Sequence, residues 1–175
     1  MIIKRRNAAA NWIFKHKDLP NYNTTGYMQF DTSIAYLNDP NAGLTGTTDT
    51  TFTISNSYGT QNNSSGTYIA YCFSEREGFS KFGFYEGNGS ADGVFVYTGF
   101  RPALIIVKRT NGSGVWTIYD NTIDPDNFTA TLLEGNTQDP DETNSTGVDF
   151  LSNGIKMRNT FGGMNNSSGD YIYMA

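Results

Sequence analysis

The stretch Asn62-Asn63-Ser64-Ser65-Gly66-Thr67-Tyr68-Ile69-Ala70-Tyr71 decides the fold, because the chain writes it again as Asn165-Asn166-Ser167-Ser168-Gly169-Asp170-Tyr171-Ile172-Tyr173-Met174. Seven of the ten positions are identical, and the copies stand 103 positions apart. Each copy couples a polar turn to an apolar strand, so the chain is a duplicated β unit. Other segments fall into the same register. Met1-Ile2-Ile3-Lys4-Arg5 matches Ile105-Ile106-Val107-Lys108-Arg109, an apolar strand ending in a basic pair. A small-residue or Asn/Gly-rich turn follows each, and Trp12 and Trp116, 104 positions apart, open the return strands. Each copy is therefore predicted to hold a β-hairpin with the Trp as a packing anchor.

Beyond the hairpins the correspondence continues. Proline loops (Asp18 to Asn23, Thr122 to Asn127) lead into alternating stretches, Tyr27 to Phe30 and Phe128 to Leu133. Long polar segments come next, Asn38 to Asp49 and Glu134 to Thr146. Phe52-Thr53-Ile54 and Ile155-Lys156-Met157 alternate apolar and polar residues, as strands with one buried face do. The Asn-Asn-Ser-Ser-Gly turn then launches the last strand of each unit. Between the copies, Phe79 to Tyr85 and Val94 to Tyr97 read as strands around the Gly-rich turn 87–93, an opening hairpin for the second unit. The first copy has no counterpart, so the chain is expected to begin inside a unit. The expected architecture is all-β: two tandem antiparallel, β-sandwich-like units of lectin or jelly-roll type. These are residues 1–78, incomplete, and residues 79–175.

The composition agrees, with 11 Tyr, 12 Phe and 19 Gly but only 17% charged residues. Aromatic and β-branched residues among turn formers favour strands, and so many rings with apolar area to bury count against disorder. A net charge of −5 argues against nucleic-acid binding, which rests on neutralising phosphates. No run of 18 apolar residues points to membrane insertion, and the charge after Met1-Ile2-Ile3 does not fit a signal peptide. A single cysteine, Cys72, rules out an internal disulfide; within Tyr71-Cys72-Phe73 it is expected to be a buried small hydrophobe.

The chemistry of catalysis finds few residues to use. The one histidine, His16, aligns with Asp120 in the second copy, and one Cys with one His cannot make a zinc site. No catalytic residue is assigned, and no enzyme activity is expected. Acidic residues gather as Asp120, Asp124 and Asp126, and again as Asp139, Asp141 and Glu142. In Asn/Thr-rich loops these are expected to be solvated; the sharper alternative is a Ca2+ site, although neither cluster follows the calcium-loop pattern. Paired carboxylates of a polysaccharide-degrading enzyme are a third reading. Exposed aromatics could stack on sugars, and Tyr22, Tyr58 and Tyr119 are the candidates. Most aromatics in such a repeat are instead core or cross-strand pairs.

A resemblance to a known family rests on Tyr68 to Glu75, on Glu77 to Gly83, on Tyr85 to Gly93 and on Phe95 to Ala103. Asp149 to Lys156 and Tyr171 to Ala175 extend it. Together these resemble tandem-repeat virion proteins of marine tailed bacteriophages, of tail-fibre or lectin-like type. The resemblance implies a non-enzymatic protein at the virion surface, extracellular and homo-oligomeric, concerned with attachment to the host or with capsid decoration. Its implied partners are other virion proteins and a host cell-surface glycan. A stand-alone carbohydrate-binding module is the alternative.

Overall fold

The computed structural model describes residues 1–55 and 59–175, with backbone alone for 144–146. It is all-β, and every element among the described residues is a strand, a turn or a bend. The chain divides into two compact units, Met1–Phe73 and Ser74–Ala175, where the sequence had placed the division between 78 and 79.

The first unit contains β1 (Ile2–Arg5), β2 (Ile13–Phe14), β3 (Gly26–Gln29), β4 (Leu37–Asn38), β5 (Leu44–Thr47), β6 (Phe52–Ile54) and β7 (Tyr68–Tyr71). Five of these make one sheet in the order β4-β3-β2-β1-β7, and β5 and β6 pair separately. Its buried apolar residues include Ile3, Ile13, Phe14, Leu19, Tyr27, Met28, Ala42 and Leu44; Ile3, Ile13, Tyr27 and Ala42 form one cluster, with Met1, Leu37, Ile54 and Tyr68 packed against them.

The second unit contains β8 (Phe82–Glu86), β9 (Phe95–Tyr97), β10 (Leu104–Arg109), β11 (Trp116–Asp120), β12 (Thr129–Glu134), β13 (Glu142–Leu151), β14 (Gly154–Met157) and β15 (Asp170–Met174). All eight form a single antiparallel sheet in the order β8-β15-β10-β11-β12-β13-β14-β9. The two end strands are joined only by the loop 87–94, so the sheet must curl until it nearly closes. Every strand then sends side chains into one core. Tyr85, Val96, Ile105, Val107, Tyr119 and Leu132 enter from β8 to β12, and Val148, Phe150, Ile155, Met157, Tyr171 and Tyr173 from β13 to β15. Opposite halves of the curled sheet face each other across that core as the layers of a sandwich do.

The duplication is visible in the registers. Ile2, Ile3, Lys4 and Arg5 pair with Tyr71, Ala70, Ile69 and Tyr68. Their counterparts Ile106, Val107, Lys108 and Arg109 pair with Met174, Tyr173, Ile172 and Tyr171. The hairpins match as well, Ile2↔Phe14 and Ile3↔Ile13 against Ile106↔Ile118 and Val107↔Thr117. A shift of one residue would have turned every side chain to the other face, so shared register means shared faces.

Two expectations are corrected. β8 and β9 are not a hairpin. They occupy opposite ends of the eight-stranded sheet, β8 on β15 and β9 on β14, where Tyr85 stacks on Tyr171 and Val96 stands opposite Ile155 within the core. Cys72 is exposed, since it lies just past the end of β7, the edge strand of its sheet. Part of the polar segment 134–146 also proves to be strand, as β13 begins at Glu142 and pairs Thr143 with Thr131.

Candidate functional site

The repeated turn is held by a set of bonds that recurs atom for atom. In the first unit the Tyr68 hydroxyl donates to the Gly59 carbonyl (2.9 Å) and accepts from the Asn63 N–H (2.8 Å). In the second the Tyr171 hydroxyl donates to Gly162 (2.8 Å) and accepts from Asn166 (2.9 Å). Asn63 Oδ1 accepts from the N–H and hydroxyl of Ser65, as Asn166 Oδ1 does from Ser168. The Tyr ring folds back over Gly66 or Gly169, where any Cβ would overlap it. Each turn is tied to the neighbouring hairpin: Asn7 Nδ2 donates to Ser65 O (2.8 Å), and Asn111 Nδ2 to Ser168 O (2.7 Å). The motif is thus a structural corner, with its polar groups used internally.

The basic pair and the Trp form a second repeated device. Lys108 Nζ donates to the Gly114 carbonyl (2.5 Å) and lies over the Trp116 ring, 5.9 Å from its centroid. Lys4 donates to Ala10 and lies over Trp12 at 5.3 Å. The ammonium closes the hairpin loop by binding its carbonyl, and the ring faces the cation. Trp116 is fully buried, an anchor as predicted, whereas Trp12 is only half-buried. Burial lowers Lys108 from its ordinary 10.5 to about 8, and it does the same to Lys15, which donates to Gly26 O (2.8 Å).

The sequence's acidic candidates do not converge. Asp120 Oδ1 accepts the Thr122 N–H (2.7 Å), and Asp124 Oδ2 accepts the N–H groups of Ala130 (3.0 Å) and Thr131 (2.6 Å). Hydrogen bonding from Thr131, chiefly through its side chain, holds the Asp124 carboxyl below the usual carboxylate range. Asp124 therefore acts as a turn-former at the start of β12. Asp126, Asp139 and Asp141 are exposed. Among the described residues, no group of three or more His, Cys, Asp or Glu side chains is placed to hold a metal ion. Of the tyrosine candidates, Tyr119 is wholly within the core and offers no ring face to a ligand. Tyr22 is half-buried in the turn after Pro20, and Tyr58 lies outside the described residues.

The structure exposes a pair of aromatics that sequence reasoning missed. On β9, Val96 points into the core at 4% exposure, while Phe95 and Tyr97 point outward at 41% and 64%. Tyr97 stands opposite Gly154 and Phe95 opposite Lys156. The Phe95 ring lies over Gly154, close enough (2.7 Å from its Cζ) that a Cβ there would clash. Charged groups sit beside them: Lys156 Nζ pairs with Asp92 at 2.8 Å, and Arg158 Nε pairs with Asp149 at 2.6 Å. The bond and charge of Lys156 hold Asp92 below the usual carboxylate range. The signal was in the alternation Val94-Phe95-Val96-Tyr97: on a one-sided strand the small residues, not the rings, took the inward positions.

These features define a duplicated antiparallel β module with polar corners and an aromatic pair on one edge strand. Over residues 1–175 the chain matches the family described as a domain of unknown function (DUF7483), and it belongs to that family. No curated protein and no solved structure matches it. No helix among the described residues is long and apolar enough to cross a membrane.

Proposed function

We propose that the chain is a non-enzymatic structural and adhesive module of a phage virion fibre or appendage, serving attachment to the host surface. The observation that carries the adhesive part is the outward pair Phe95 and Tyr97, flanked by Lys156 and Asp92. Two rings on one strand face with charged hydrogen-bonding groups beside them suit the apolar faces and hydroxyls of a surface glycan. The structural part is supported by the duplication, by the corners that spend their polar groups internally, and by the resemblance carried by Tyr68 to Glu75 and Phe95 to Ala103.

The test has two arms. Immunogold electron microscopy of particles should place the chain on a tail fibre or appendage. Purified chain should reduce adsorption of particles to host cells, and the Phe95→Ala/Tyr97→Ala variant should not. Detection in infected cells but never on particles defeats the proposal. Saturable binding on a glycan array without any effect on adsorption favours the stand-alone carbohydrate-binding module. New reducing ends released from host polysaccharide, and lost in Asp124→Asn or Asp139→Asn, would instead establish an enzyme.

A further inference from the structure

The outer face of β9, β14 and β13 extends well beyond Phe95 and Tyr97. Val96, Ile155, Met157, Val148 and Phe150 point into the core, so the residues that alternate with them point out. Register places Phe95 opposite Lys156 and Lys156 opposite Asp149. The row continues past β13. Thr129, 1% exposed, pairs with the inward Val148, which sets Phe128 on the outer face beside Asp149. The Asn127 side chain fixes the chain there, donating to Phe150 O (3.2 Å) and accepting the Phe150 N–H (3.0 Å). Phe128 is 46% exposed, and its ring lies over Gly147, where a Cβ would overlap it, as the Phe95 ring lies over Gly154. Two rings bedded on glycines therefore flank a polar strip. Their strands are three spacings apart, roughly 14 Å.

The strip between the rings is electrically balanced. Lys156 Nζ is 2.8 Å from Asp92, Arg158 Nε is 2.6 Å from Asp149, and Arg158 Nη1 lies 3.7 Å from Asp92 as well. Each cation already has a carboxylate, so an ionised ligand would have to displace one of them. The Asp92 side chain is nevertheless 82% exposed and that of Arg158 44%, which leaves an acceptor and a donor for neutral hydroxyls.

We infer, resting on the adhesive reading above, that this face binds a neutral, linear oligosaccharide about three sugar units long, with Phe128 as its second stacking platform. One sugar lies on Phe95 and Tyr97, one over the Asp92 and Arg158 groups, and one on Phe128. A span of roughly 14 Å holds about three pyranose rings end to end. Both platforms are held in place before the ligand arrives, so binding orders little that was free.

The experiment screens the whole chain on an array of linear neutral and uronic-acid oligosaccharides graded in length. The tightest binder and its shorter homologues are then titrated calorimetrically. Affinity should rise about tenfold when the glycan becomes long enough to reach both platforms, the worth of stacking one further ring. Phe128→Ala should lose that step and keep the wild-type affinity for the shortest binder, whereas Phe95→Ala/Tyr97→Ala should weaken every length. Phe128→Trp keeps a ring in place, and its added fluorescence should respond to long glycans and not to short ones. If Phe128→Ala fails to fold, that variant decides alone, and an equal response to every length overturns the inference. An affinity independent of length overturns it too, as does a length step that survives in Phe128→Ala or tighter binding of uronic-acid glycans than of neutral ones. No glycan bound while the chain still reduces adsorption overturns this inference and leaves the adhesive reading standing. No glycan bound and no effect on adsorption defeats both.

Discussion

The two tyrosine corners offer an internally controlled measurement, because the same bonds sit in two degrees of burial. Tyr171 has 0% exposure, and its hydroxyl's two bonds lie in partly buried surroundings, whereas the bonds of the Tyr68 hydroxyl are exposed. Replacing either by Phe keeps the ring and deletes one donor and one acceptor. In the second unit the Asn166 N–H and the Gly162 carbonyl are left without that partner where water enters poorly. At about 1–2 kcal/mol for each orphaned group, Tyr171→Phe should cost about 2–4 kcal/mol. In the first unit water replaces the hydroxyl, so Tyr68→Phe should cost about 1 kcal/mol or less. Native-state hydrogen exchange can read the units separately, through the slowest amides of β1 for the first and of β10 for the second. Equal losses in the two units, or a larger loss from Tyr68→Phe, would refute the claim that burial rather than bond geometry sets the worth of this corner.

Three more outcomes follow from the same coordinates. Gly169→Ala should destabilise the second unit by about 1–3 kcal/mol, since its Cβ overlaps a Tyr171 ring held by two hydrogen bonds; urea midpoints compare it with wild type. Asn165→Ala should be among the costliest polar substitutions, at about 3 kcal/mol or more. Its buried amide donates to Asn88 Oδ1 (3.0 Å), Ser90 O (2.8 Å) and Asn159 O (2.7 Å) and accepts the Asn88 N–H (2.9 Å), and the loss should show as faster exchange across the loop 87–94. Stability should rise as pH goes from about 8 towards 10. In that window the unfolded chain still protonates Lys15 and Lys108 at their ordinary 10.5, while the folded chain, with both near 8, has released those protons. Above pH 10 burial of Tyr85, whose hydroxyl is held protonated, works the opposite way. Denaturation midpoints at pH 8 and pH 10 in wild type and Lys108→Met test the sign, and a flat or falling wild-type profile contradicts it.

Local pattern carried most of the fold. The corner sequence, the Lys-Arg ends of β1 and β10, and the two Trp residues are short-range signals, and each placed its strand correctly. What stayed hidden depended on distant partners. Nothing within Phe79 to Tyr97 says that β8 will pair with β15 and β9 with β14, because a hairpin and two separated edges leave the same local alternation. The polar start of β13 was hidden for a different reason: Glu142 and Thr143 pair with Leu132 and Thr131 in a strand that shows no apolar alternation there. At the candidate site, Tyr119 and Tyr97 both read as strand aromatics, and the side each takes follows from which alternate residues of its strand enter the core: Val96 on β9, Tyr119 itself on β11. Lys15 shows the limit of copy-to-copy inference, since the position that holds the buried Tyr119 ring in one unit holds a buried ammonium in the other.

The tyrosine corner has one further consequence. It grips the chain at the start of the last strand through that strand's own Tyr68 or Tyr171, so the pairing with β1 or β10 is set before the side chains beyond the tyrosine are consulted. Side-chain packing is thereby relieved of the task of alignment. Ala70 can stand where Tyr173 does, and Ile69 can lie open where Ile172 is buried, with no slip in either ladder. A unit keyed in this way can be copied and its exposed strand rewritten for new contacts while the scaffold beneath keeps its alignment.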